Sequence, residues 1–129
     1  MDEDESSRLR VLVVERDLNV RELEAHFLNE AGYETHFADD GRDALAKVTE
    51  TPPDILVTEI LVPHLDGLAL CRAIKGNPAT RHVRVLIFSI LSAKVRAQEA
   101  GADAFLNKPL SGARLVDMMK RLQPAPPPA

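Results

Sequence analysis

ILVTEILVPHLDG, residues 55–67, decides how the rest of the chain is read. It opens as an unbroken apolar run, the mark of a strand buried on both faces. The run ends at one acid, Glu59, and a short loop with Pro63 follows before Asp66-Gly67 starts the next segment. In an open parallel sheet, function sits just beyond the carboxyl ends of the strands. Glu59 stands there, so any chemistry of this chain is expected to involve it.

Upstream, residues 9–14 contain the buried run VLVV and read as a first strand. Asp17 or Asn19 can cap the following helix; Asn19 has Glu22 three residues on, close to a capping box. Val20, Leu23, Phe27, Leu28 and Ala31 then recur at helical spacing, and Gly32 ends the segment. Residues 33–38 alternate weakly, as an outer strand does. Asp40-Gly41 opens a second helix through residue 48, with Ala44, Leu45 and Val48 inward, and Pro52-Pro53 separates it from the central strand over 55–58.

Downstream, residues 67–75 form a third helix facing inward through Leu68, Leu70, Cys71 and Ile74, stopped by Gly76-Asn77-Pro78. A fourth strand spans 83–88. A short fourth helix spans 93–100, closed by Gly101. A fifth strand over 104–106 runs into Lys108-Pro109. Ser111 caps a last helix with Leu115, Met118, Met119 and Leu122 on one face. Five strands alternating with five helices predict a three-layer α/β domain with a parallel sheet and right-handed crossovers. The order 2-1-3-4-5 is the usual solution at this size. The domain is expected over residues 8–123, after a disordered acidic segment over 1–7. Residues 124–129, mostly proline, read as an extended tail or the start of a linker.

The chain has 129 residues, enough for one domain with a substantial core. Its 16 basic and 20 acidic residues give a net charge of −4, a poor match to the basic stripe that nucleic-acid binding needs. No run of 18 apolar residues is present, and MDEDESSR lacks the order of a signal peptide. A cytoplasmic protein is expected. The single cysteine, Cys71, excludes an internal disulfide and reads as a small buried hydrophobe. His26, His36, His64 and His82 are scattered over different elements and read as surface residues, with only His64 near the strand ends.

Polar groups follow the apolar runs at four strand ends: Glu15-Arg16-Asp17, Glu59, Ser89 and Asn107-Lys108. In a 2-1-3-4-5 sheet these strands are adjacent, so their ends converge on one cleft. In VLVVERD, AGYETHFADDGRDAL, PDILVTEILVPHLDG, VLIFS and AGADAFLNKPL the chain resembles the receiver domain of two-component response regulators. The resemblance covers about residues 9–122. It implies a magnesium ion held by an acidic pair after strand one and an aspartate that accepts a phosphoryl group from a histidine kinase. It also implies a hydroxyl after strand four and a lysine after strand five that engage that group.

Carried over, Glu15 and Arg16 stand at the acidic pair, and Glu59 stands at the phosphoacceptor. Ser89 and Lys108 match the phosphoryl contacts, Phe105 the switch aromatic, and Lys108-Pro109 a bond that is commonly cis. Glu59 and Leu61 complete the metal-site positions with Glu15 and Arg16. Leu61 and Leu91 also occupy the places that orient attacking water, which neither side chain can do.

Two departures bear on function. Arg16 has no acceptor and a fixed charge, so it repels a magnesium ion that wants anionic oxygens. Glu59 carries its carboxylate one methylene, about 1.5 Å, farther out than aspartate. A misplacement of ~1 Å can cost about 100-fold in rate. Glu59 can pair with Arg16 across the cleft, or reach Lys108 or Ser89.

The expectation is an atypical, non-enzymatic receiver with weak or absent magnesium binding. It would act by contact with a protein partner, or a second copy, through the fourth helix, fifth strand and fifth helix, from Ala93 to Leu122. The alternative is a conventional, magnesium-dependent, phosphorylatable receiver. A flavodoxin-type carrier would need a Gly, Ser and Thr-rich loop after strand one, where the chain has ERDLN. A dehalogenase-type phosphatase would need Asp-x-Asp at a strand end, and that is missing too.

Overall fold

The sheet is built from β1 (Arg10–Val14), β2 (Glu34–Ala38), β3 (Ile55–Thr58), β4 (Arg84–Ser89) and β5 (Ala104–Asn107). All are parallel, in the order β2-β1-β3-β4-β5, in a computed structural model that describes residues 8–123. The helices alternate with the strands: α1 (Leu18–Glu30), α2 (Gly41–Glu50), α3 (Gly67–Lys75), α4 (Lys94–Glu99) and α5 (Gly112–Leu122). This is the (βα)5 flavodoxin-like architecture expected from the sequence. The expectations for residues 1–7 and 124–129 lie outside the described residues.

Side-chain alternation along the strands splits the core into two layers. Leu12, Val14, Leu56, Val85 and Ile87 point to one face, where Ala44, Val48, Leu70 and Ile74 of α2 and α3 cover them. Val11, Val13, Ile55, Val57, Leu86 and Phe88 point to the other, under Leu28 of α1 and Leu115 and Met119 of α5. Burial of the central strands on both faces is why they read as continuous apolar runs.

Register then sets the site. Val14 lies opposite Thr58, and Thr58 opposite Ile87, so β1, β3 and β4 finish side by side at one edge. Ser89 is paired with Asn107 at the end of β5. Gly67 lets α3 start directly against this edge; a Cβ there would lie 2.3 Å from the Glu59 carbonyl oxygen.

Most expected boundaries hold within a residue or two. Asp17, not Asn19, caps α1: its carboxylate accepts from the backbone N–H of Asn19 at 2.9 Å and Val20 at 3.3 Å. The inward face of α1 needs a larger correction. Leu23, expected in the core, is 50% exposed, whereas Glu24 is 1% exposed. The buried stripe runs through Val20, Glu24 and Leu28 at intervals of four, and Leu23 falls off it.

Candidate functional site at the strand ends

Lys108 joins two acids. Its Nζ lies 2.6 Å from Glu15 Oε1 and 3.1 Å from Glu59 Oε1. The residue follows β5 directly, with its backbone N–H donating to the Ser89 carbonyl at 2.9 Å. Asn107 donates through Nδ2 to the carbonyls of Ser89 at 3.1 Å and Leu91 at 2.8 Å, tying the loop after β4 to the same strand. The Lys108-Pro109 bond is cis, as the resemblance implies.

Glu59 is buried, and both its carboxylate oxygens are engaged. Oε1 faces Lys108 and accepts the Ile90 N–H at 3.2 Å. Oε2 accepts the N–H groups of Ile60 at 2.6 Å and Leu61 at 3.3 Å, together with the Ser89 hydroxyl in a short hydrogen bond. Burial alone would raise the pKa of this carboxyl. The Ser89 hydroxyl and the Lys108 ammonium outweigh it and hold Glu59 below the usual carboxylate range. Lys108 shows the mirror case: burial would lower its pKa, and its bonds to Glu15 and Glu59 raise it instead.

Glu15 is spent in the same way. Oε1 faces Lys108, and Oε2 accepts the Asp17 N–H at 2.9 Å. Every carboxylate oxygen of Glu15 and Glu59 is therefore held by this chain's own donors. A magnesium ion asks for several anionic or carbonyl oxygens in near-octahedral array. Two committed carboxylates with an ammonium between them do not fit that requirement.

Arg16 corrects one expectation. It is exposed, and among the described residues it makes no ion pair, so the Arg16–Glu59 contact is not formed. Lys108 already pairs with both carboxylates and is buried with them, so bringing in an exposed guanidinium would only add a desolvation cost. Arg16 instead lines an open cleft of about 380 Å³ above Glu59 and Lys108, with Leu61 and Ile90. Leu91 is half-buried against the core on the α2–α4 side. Phe105 packs on that same layer and lines a separate groove of about 270 Å³ with Lys94, Ala97, Gln98 and Met118. The four histidines are all exposed, and His64, in the loop after β3, lies 3.8 Å from Asp40.

Sequence reasoning missed Glu24. Burial raises its pKa to about 8, Glu15 adds to this, and Lys108 opposes it. The available signal was its position midway between Val20 and Leu28 on one helical face.

Residues 11–120 match the response regulator receiver domain family. The chain is 33% identical to Protein PilG of Pseudomonas aeruginosa over 126 residues, covering 95% of this chain and 93% of PilG. It is 37% identical over 117 residues to Response regulator PleD of Caulobacter vibrioides, covering 88% of this chain and 26% of PleD. It thus spans about a quarter of PleD's length. Among solved structures, the signal receiver domain of a signal transduction histidine kinase from Syntrophus aciditrophicus superposes with a TM-score of 0.83. That match has 38% identity and covers 88% of this chain and 89% of the other. No helix among the described residues is long and apolar enough to cross a membrane.

Proposed function

The chain belongs to the response regulator receiver domain family, and from that premise we propose that it is an atypical receiver whose phosphoacceptor site is occupied by its own glutamate and which signals by protein contact without phosphorylation. One observation carries this reading. Glu59 holds Ser89 and Lys108, the two residues that by resemblance would engage a phosphoryl group. Its longer side chain brings a carboxylate partway to where that group would go. With both oxygens committed and Arg16 at the rim, neither a free nucleophile nor a metal ligand set is left. The effect is a receiver held in one engaged arrangement, with no catalytic turnover.

The surface from Ala93 to Leu122, which includes the groove beside Phe105, is the proposed contact face for a protein partner or a second copy.

Amide NMR tests the reading through a magnesium titration with and without beryllofluoride. The expected result is no saturable change at Glu15, Arg16, Glu59, Ser89 or Lys108 at millimolar magnesium. The Arg16→Asp/Glu59→Asp double variant should gain such changes, because it restores short anionic ligands. Saturable changes in the unaltered protein, spreading to Phe105, would return it to conventional phosphorylation chemistry.

A further inference from the structure

We propose that the groove beside Phe105 takes an acidic amphipathic segment of a partner protein, with Lys94 and Arg114 facing its carboxylates, and that the occupant is not a second copy of this chain. The inference deepens the reading above and rests on it for the contact face from Ala93 to Leu122.

Charge is divided unevenly across the fold. Residues 8–67 carry 6 basic and 13 acidic side chains, whereas residues 68–123 carry 10 basic and 3 acidic ones. The first half supplies β2, β1 and β3, and the second supplies β4 and β5 with α4 and α5. The sheet order therefore sets negative charge toward one edge and positive charge toward the other. The two sides differ again in how much of that charge is spent. On the acidic side, Asp39 and Asp43 pair with Arg21 and Lys47, and Asp17, Asp40 and Asp66 cap helices. On the basic side, Lys94, Arg96, Arg114 and Lys120 are exposed and make no ion pair among the described residues.

These cations border an apolar groove. Its volume of about 270 Å³ lies between α4, β5 and α5, where Ala97, Phe105 and Met118 line it. That is smaller than ordinary small-molecule pockets, and it suits the side chains of a peptide. Lys94 stands on its lining, and Arg114 lies one turn before Met118 on the same stripe of α5. Val95, 64% exposed, extends the apolar surface one turn before Gln98. Asp103, the acid on the lining, is already held by Lys75 at 2.8 Å and Arg84 at 3.4 Å. The complement of such a face is a segment with aliphatic side chains flanked by carboxylates. A nucleic-acid backbone would engage the cations and leave the apolar floor uncovered. A symmetric dimer would bring two cationic rims together. A copy docked by its other side would offer carboxylates that its own chain has largely spent.

Fluorescence anisotropy tests this with two labelled helical peptides that share one apolar pattern, carrying glutamate or lysine on the polar face, and with a DNA duplex. The glutamate peptide should saturate and shift the amides of Lys94, Gln98, Phe105 and Met118. Its binding should weaken as salt rises from about 0.05 M to about 0.5 M and screening shortens. The Lys94→Glu/Arg114→Glu double variant, altered only at exposed side chains, should lose about 10-fold or more in affinity. Arg42→Glu, exposed on α2, should change it less than about 2-fold. No saturable binding of the glutamate peptide at about 1 mM, equal binding of the lysine peptide, or tighter binding of the duplex would each overturn the proposal. So would sedimentation showing self-association that the double variant abolishes. The two readings fail separately: magnesium-dependent changes would overturn the phosphorylation-independent one whatever the peptides do, whereas peptides that fail beside a flat magnesium titration would overturn this one alone.

Discussion

Glu59 and Glu24 are almost equally buried, at 4% and 1% exposure, and for both the Lys108 charge works against the rise in pKa that burial causes. They end up in opposite states. At the strand ends, backbone N–H groups, a hydroxyl and an ammonium converge on Glu59 and keep it ionised. On the inner stripe of α1, helix and sheet have already used their own backbone groups, and Glu24 is left with an unpartnered oxygen. Burial therefore does not decide which carboxylate is charged; the supply of donors does, and donors gather where strands stop.

The strongest way to break this contrast is to remove its shared cation. Lys108→Met should leave Glu15 and Glu59 buried without a counter-ion and cost about 3–5 kcal/mol of stability at neutral pH. Urea unfolding across pH checks it. The stabilisation from a depressed Glu59 is present above the unfolded carboxyl pKa and lost as pH falls through the folded one. The raised Lys108 pKa contributes fully below its ordinary value and fades as pH rises through the folded value. The deficit of the variant should therefore persist through neutrality and shrink in acid. A cost below 1 kcal/mol at pH 7 would mean that backbone donors alone hold Glu59.

Glu24 gives the opposite slope. Its folded pKa of about 8 lies above the unfolded 4.5, so the folded protein keeps a proton that the unfolded chain has lost. Stability falls as pH climbs through that interval. Glu24→Leu should remove the fall and stabilise the domain at pH 8 by about 2–4 kcal/mol, with much less effect near pH 5. Thermal unfolding at the two pH values reads this directly, and an equal gain at both would reduce Glu24 to a packing defect.

The two glutamates were not equally legible in the sequence. Glu59 closes an apolar run that can only be a doubly buried strand, and the topology then places it with Glu15, Ser89 and Lys108. Such patterns constrain where a strand stops, and hence which polar residues meet. They do not say which cation pairs with which acid. Arg16 and Lys108 were both candidates for Glu59, and side-chain approach from the end of β5 favoured Lys108. The phase of α1 was harder still. Leu23 is the more apolar residue, so hydropathy pulled the inward face toward it. Docking of Leu28 against β1 and α5 sets the rotation instead, and Glu24 is carried inward with it.

Ser89→Ala is the smallest and most discriminating change. It removes one donor from Glu59 Oε2 and leaves the Ile60 and Leu61 N–H groups and the Lys108 ammonium in place. A lost hydrogen bond to a charged acceptor costs about 1.5–3 kcal/mol, and the remaining donors should keep the loss at or below the low end, about 1–1.5 kcal/mol. The sharper readout is ionisation. Burial still pushes the Glu59 carboxyl up, and the Ser89 hydrogen bond is the largest single interaction opposing it, followed by those of Lys108. Its midpoint, followed by carboxyl-carbon NMR, should move up toward the ordinary glutamate range in the variant, while that of Glu24 stays put. If Glu59 does not move, Ser89 is held by the glutamate without helping to hold it, and the cleft's charge state rests on Lys108 and the backbone alone.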